Sequence, residues 1–226
     1  MLGRIVLTAL GAGAIAGIFV WGAHMIKTTP LILQAEVYET AAPAHLQGVA
    51  AATAAEDESW APVDGIERSA YTFLADMLSS IGFAFLLTGA VALAGRGVDW
   101  RRGILWGLCG FAAFYLSPAF GLPPELPGMQ AADLNERQLW WLATAACTAG
   151  GLALIFLAGP RVAKIAGGTL ILVPHLVGAP GHEIGPGPLP AELASQFAVA
   201  TLVITGLFWM LLGALTGYFY RRLEPS

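Results

Sequence analysis

The sequence predicts an all-α integral membrane protein folded as a six-helix transmembrane bundle. Three observations carry this. Hydrophobic residues make up 57% of the 226 positions and charged residues only 12%, against about 25% charged in a soluble domain. Mean hydropathy is correspondingly high at +0.69. The charges are gathered between apolar stretches, most of them near the roughly 20 residues that a helix needs to cross a hydrocarbon core of about 30 Å. Finally, Lys and Arg concentrate in every second connection, the pattern of loops that stay inside.

The six stretches are 5–26, 71–94, 103–120, 139–158, 165–179 and 197–220. The first follows Arg4, as a signal peptide would, but its apolar run exceeds the 7–15 residues of such a peptide. No A-x-A-like site follows Trp21, so it reads as a retained span. The second carries one charge, Asp76, about a turn inside its outer end. The fifth is short at 15 residues, and Lys164 at its start can lay its stem along the bilayer and keep its ammonium at the interface.

With both termini cytoplasmic, the inner segments hold Arg4, Arg96, Arg101, Arg102, Arg161, Lys164, Arg221 and Arg222, eight of the eleven basic residues. Lys27, Arg68 and Arg137 fall outside. Of the fifteen acids, only Asp99 and Glu224 are inside. Residues 27–70 form a long acidic periplasmic loop, loose over 41–64 where Ala, Pro, Thr and acids replace apolar periodicity. The chain is thus read as a single transmembrane domain over 1–226.

An internal repeat is one reading of the spans. Placing Arg68 on Arg137 aligns Gly82 with Gly151, and Gly206 and Trp209 fall at the places of Gly82 and Phe85. Three helices running the other way end alike, Pro30 before Glu36, Pro118 before Glu125 and Pro174 before Glu183. Either three hairpins share an ancestor, one of them split between the chain's ends, or Gly/Ala-rich helices resemble one another by composition.

No Walker A, G-x-S-x-G or dinucleotide pattern occurs, and no basic run suits a phosphate backbone, so ATP hydrolysis, serine chemistry and nucleic acid are not indicated. Cys109 and Cys147 sit in apolar stretches without C-x-x-C spacing and read as buried small hydrophobes. Trp60, Tyr71, Trp140 and Trp141 read as interfacial aromatics. All four histidines, His24, His45, His175 and His182, fall in the outer half.

Imidazole with carboxylate and water suits a borderline divalent metal. His175 follows Pro174, whose missing N–H leaves a carbonyl of the preceding turn unpaired, and it is either a ligand or a histidine bonded to a neighbouring helix. His24 is either a ligand or an interfacial side chain. His182 and Glu183 adjoin in a Pro/Gly-rich loop and can both reach one ion. Asp76 either pairs with Arg68 or lines a pathway. Glu36, Glu39 and Glu125 complete the outer candidate set, expected to share one metal-receiving vestibule.

Three segments resemble the CbtA family of cobalt transporter subunits: TPLILQAEVYE at 29–39, SPAFGLPPELPG at 117–128 with RQLWW at 137–141, and PHLVGAP at 174–180. The resemblance implies a bacterial inner-membrane protein that takes up cobalt(II) as its transported ion; no resident cofactor is expected, and no enzyme activity, since no nucleophile and base pairing can be placed. It further implies a small one-span partner, CbtB, with a histidine-rich tail, and a link to cobalamin synthesis. The family pattern has five spans against the six counted here. A scaffold subunit that conducts nothing, or a carrier of another small solute, are the readings that stand beside it.

Overall fold

A computed structural model describes residues 1–41, 62–181 and 189–224 of the chain. The described residues are all-helical, with no strand. Six helical rods follow one another. The first comprises α1 (Leu2–Ala23), a π turn (His24–Thr28) and α2 (Thr29–Ala41). The second is α3 (Ile66–Ala94), and the third comprises α4 (Trp100–Phe111), a second π turn (Ala112–Leu116) and α5 (Ser117–Ala119). The last three are α6 (Leu134–Leu157), α7 (Arg161–Val177) and α8 (Ala191–Arg222).

Each expected span lies largely on a rod, with 103–120, 139–158 and 165–179 running one or two residues past the helix ends. Four helices are long and apolar enough to cross a membrane, Leu2–Glu39, Ile66–Ala94, Leu134–Leu157 and Ala191–Arg222. The other two rods are shorter or divided by a π turn. The helices also overrun the expected limits: α2 extends the first rod into the segment read as loop 27–70, and α3 begins five residues before Tyr71.

Local chemistry sets the ends. Gly95 closes α3 in the left-handed region at φ 61°, which costs glycine nothing. Asp133 accepts from the Asn135 and Glu136 amides at the start of α6, and Asp99 accepts from the Arg102 amide at the start of α4. That amide, followed by the guanidinium charges of Arg102 and Arg221, holds the Asp99 carboxyl below its ordinary value. The cap therefore stays charged further into acid.

The rods pack through small residues. Without water between them, helices in lipid gain most from close backbone approach, which side chains larger than Gly, Ala or Ser obstruct. Gly13 and Gly17 of α1 lie against Ile81 and Met77 of α3, where a Cβ on Gly13 would come within 2.6 Å of the Ile81 Cα. A Cβ on Gly103 or Gly107 of α4 would strike the carbonyl of Gly213 or Trp209 on α8. One on Gly151 of α6 would meet Gly167 of α7. The tight pairs are therefore α1–α3, α4–α8 and α6–α7. Of the three hairpins in the repeat reading, α3–α4, α6–α7 and α8–α1, only α6–α7 is one of them.

At the centre, Ala9, Ala12, Ala16 and Val20 of α1 pack on Ala84 and Leu87 of α3 and on Ile204, Phe208, Trp209 and Leu212 of α8. Phe114 stacks on Trp209 at 5.7 Å. A second cluster, Ala35, Leu126, Leu193 and Phe197, joins α2, the loop after α5 and the start of α8. Large apolar side chains face outward, Leu93 at 90% and Leu176 at 82% exposure, as lipid contact requires.

Met1, Arg4, Arg96, Asp99, Arg102, Arg221 and Glu224 line one cleft, so both chain ends lie at the same end of the bundle. Arg96 also donates to the carbonyls of Phe156 and Leu157, tying the end of α6 to that end.

Gly213→Ala is expected to destabilise the fold by about 1–3 kcal/mol, because its Cβ would meet the Gly103 carbonyl and the Gly107 backbone. Gly89→Ala, with open space around its Cβ, serves as the tolerated control. Thermal midpoints in detergent compare them, and equal midpoints would remove close α4–α8 packing as a determinant of stability.

Candidate functional site

The two π turns share an origin. Pro30 and Pro118 have no N–H to donate, and each ring presses on the carbonyl four residues back. In both rods the helix widens just beforehand, over His24–Thr28 and Ala112–Leu116, each turn closing two residues before the proline. The Thr29 amide then reaches the His24 carbonyl, and the Ser117 amide reaches that of Ala112. Such turns recur at functional sites because they re-aim side chains. Here one begins at His24 and the other delivers Ser117.

His24 Nδ1 lies 2.9 Å from Asp76 Oδ2 on α3, with the two side chains 28% and 15% exposed. A carboxylate on one ring nitrogen fixes the imidazole and leaves Nε2 at the opposite edge, the arrangement in which histidine binds metals. Asp76 thus pairs with His24 and not with Arg68. Arg68 turns to Glu36, donating from Nη1 and Nη2 at 3.2 and 3.0 Å, and its Nε lies 3.1 Å from Asp64.

Glu125, at 14% side-chain exposure, lies 2.7 Å from Arg137 Nη2. Glu39 is exposed on α2, its Cβ and Cγ close above Gly128.

His175 takes the interhelical alternative. Thr148 donates to Ser117 Oγ at 2.9 Å, and that oxygen lies 3.0 Å from His175 Nε2. The Ser117 hydroxyl thus bridges Thr148 and the His175 ring. The imidazole stands edge-on to Trp140 and Phe120, with centroids 6.0 and 6.4 Å away. It ties α7 to α5 and α6.

Trp140 is a correction to the interfacial reading: it is 8% exposed, and a Cβ on Gly121 would enter its ring. Cys109 and Cys147 are free and half-buried. His45, Trp60, His182 and Glu183 lie outside the described residues.

The candidate ligands are thus engaged pair by pair: His24 with Asp76, Glu36 with Arg68, Glu125 with Arg137, His175 with Ser117. No group of three or more His, Cys, Asp or Glu residues placed to hold a metal occurs among the described residues. Ser117 and Thr148 escape a sequence reading that looks for metal ligands. Their one signal is the dipeptide Ser117-Pro118, which repeats Thr29-Pro30 at the matching place in another rod.

Residues 2–221 match a family model described as "Probable cobalt transporter subunit (CbtA)". The chain belongs to the CbtA family. Comparison with curated proteins and with solved structures found no match. The CbtA model covers both π turns, the His24–Asp76 pair and the Ser117–His175 tie.

Glu125→Ala is expected to lower stability by about 1.5–3 kcal/mol, the scale of a hydrogen bond to a charged group, since Arg137 is left without its carboxylate. Glu39→Ala, at an exposed position, should leave the thermal midpoint in detergent unchanged. Equal midpoints for both would assign the Glu125–Arg137 pair no structural weight.

Proposed function

We propose that this CbtA protein is the membrane subunit of a cobalt(II) uptake system in the bacterial inner membrane, with six helices crossing the bilayer and both termini cytoplasmic. The observation that carries the proposal is the family match over residues 2–221. Support for the topology comes from the basic cleft, which places Arg4, Arg96, Arg102 and Arg221 at one end of the bundle with both chain ends. The paired π turns before Thr29-Pro30 and Ser117-Pro118 support the internal repeat.

Capture starts at His24. Asp76 holds the ring by Nδ1, and Nε2 offers the cation a nitrogen ligand whose basicity the carboxylate raises. Glu39, exposed near the same end, and the adjacent pair His182 and Glu183 supply further donors. Glu36 and Glu125 join only by exchanging an arginine for the cation. His175 acts as a positioning residue, holding the end of α7 against Ser117. A partner of the CbtB type, small and histidine-rich, delivers the ion from outside.

The sequence has no nucleotide motif, so the driving force is the membrane potential or a separate subunit. The potential contributes about 2.3 kcal/mol per charge per 100 mV, and a divalent ion moving inward gains twice that. The conduction step therefore needs no further energy source.

The test is cobalt accumulation in a bacterial strain without other importers, expressing this chain with its partner. The intact chain should raise cell cobalt. His24→Ala should cut the gain by about 10-fold or more, the scale on which disturbing a metal ligand acts. His175→Ala should lower it only through lost stability, seen as a lower thermal midpoint. No gain from the intact pair would favour a scaffold subunit, and full uptake by His24→Ala would remove His24 from the mechanism.

A further inference from the structure

Threonine in a helix ordinarily gives its hydroxyl to a carbonyl one turn back. Thr28, Thr72, Thr169 and Thr201 do so here, at 2.9–3.3 Å. Thr144 on α6 does not, and neither do Thr8, Thr88 and Thr216 on the helices of the central core. All three are at most 1% exposed, and none of the three hydroxyls has a hydrogen-bond partner. A buried hydroxyl left this way costs about 1–3 kcal/mol, so three together call for a reason.

Their places coincide. Thr8 lies four residues above Arg4 on α1, Thr88 four above Ala92 on α3, and Thr216 four above Tyr220 on α8. Arg4, Ala92 and Tyr220 all line the cleft of about 470 Å³ at the basic end. Residues four apart share a helix face about one turn apart. The three hydroxyls therefore form one layer directly above the cleft floor, on the three helices that make the central core.

Three of the four arginines that line the cleft are drawn aside, and Arg221 remains beside Asp99. Arg4 donates to the Tyr220 carbonyl and lies over its ring, Arg96 caps α6, and Arg102 donates to the Gly97 carbonyl. Asp99 and Glu224 line the same cleft. Above the layer Ala12, Ala16, Ala84 and Ser80, all at most 1% exposed, lie in the α1–α3 seam, which Gly13 against Ile81 and Gly17 against Met77 hold closed in this state. It reaches Asp76 and His24 after three and four more turns.

We propose that Thr8, Thr88 and Thr216 form the inner polar constriction of a cation path along the α1–α3–α8 seam, opening into the basic cleft. Resting on the uptake reading, it takes a partly hydrated divalent cation that arrives from His24 and Asp76. Three neutral oxygens can replace part of its water shell without the charge that would trap it, as weak, passable sites require. Water entering from the cleft satisfies the hydroxyls between passages.

The test uses full-length protein in inside-out and right-side-out membrane vesicles, with Cys109 and Cys147 replaced by alanine and one new cysteine at a time. The probe is a cationic, membrane-impermeant methanethiosulfonate. Thr8→Cys, Thr88→Cys and Thr216→Cys should be modified from the face bearing Arg4 and Arg221, and Co(II) should slow the reaction. Thr144→Cys, equally buried and unpartnered but on α6 away from the cleft, should stay unmodified.

A second measurement uses the near-isosteric Thr8→Val, Thr88→Val and Thr216→Val together. Folding should be kept, because valine removes an unsatisfied group, while cobalt uptake should fall by about tenfold, the scale of one lost bond to a charged group. Correctly folded cysteine variants that none of the reagent reaches would overturn the path, as would full uptake by the triple valine variant. Modification without cobalt uptake by the intact chain would instead sink the cobalt reading and leave the path in place.

Discussion

Close approach of helix backbones is the constraint on which the rest of this protein depends. Lipid offers no hydrophobic reward for bringing two apolar helices together, so attraction has to come from contact at short range, which glycine and alanine permit. Gly103 and Gly107 lie against Gly213 and Gly217, Gly13 and Gly17 against Ile81 and Met77, and Gly151 against Gly167. These contacts pair α4 with α8, α1 with α3 and α6 with α7 although the first of these pairs is far apart in sequence. They also keep the central core narrow, with Ala9, Ala12, Ala16 and Ala84 where a soluble protein would have leucine or phenylalanine.

A narrow core gives its polar groups unusual weight. Hydroxyls, the Asp76 carboxylate and the imidazoles of His24 and His175 lie between helices, where lipid offers no partner, and Thr8, Thr88 and Thr216 are left without one. Some are satisfied along their own helix, as Thr72 and Thr201 are; others span between helices, as in the Thr148–Ser117–His175 chain. The proline breaks extend the same theme. By widening the turn ahead of Pro30 and Pro118, the rods release two carbonyl positions and turn His24 and Ser117 toward other helices.

The two ends of the bundle differ in the use of charge. At the basic end, arginines seal helix termini: Arg96 holds the last carbonyls of α6 and Arg4 holds Tyr220 across the chain ends. At the other end, arginines hold carboxylates, with Arg68 forked on Glu36 and Arg137 against Glu125. The first pair connects the end of one rod to the start of the next, and the second connects the loop after α5 to the start of α6. Glu36 and Glu125, which stand out in sequence as cation ligands, therefore work structurally in this state.

Much was legible in the sequence alone. Composition and run length determined an all-helical membrane protein, the six stretches matched six rods, and the charge distribution placed both chain ends together, because each is a property of local solvation. The family resemblance was legible in Thr29-Pro30, Ser117-Pro118 and Pro174-His175. Partnership was not. Which helix meets which depends on the shapes of distant glycine faces, so α4 pairing with α8 leaves no trace at short range. The same holds for Asp76, which met His24 instead of Arg68, and for Trp140, which packs beneath Gly121 and beside His175. Only the tertiary structure could bring Thr8, Thr88 and Thr216 to one level, since they come from the start, middle and end of the chain and a threonine's partner is decided by the helix opposite it.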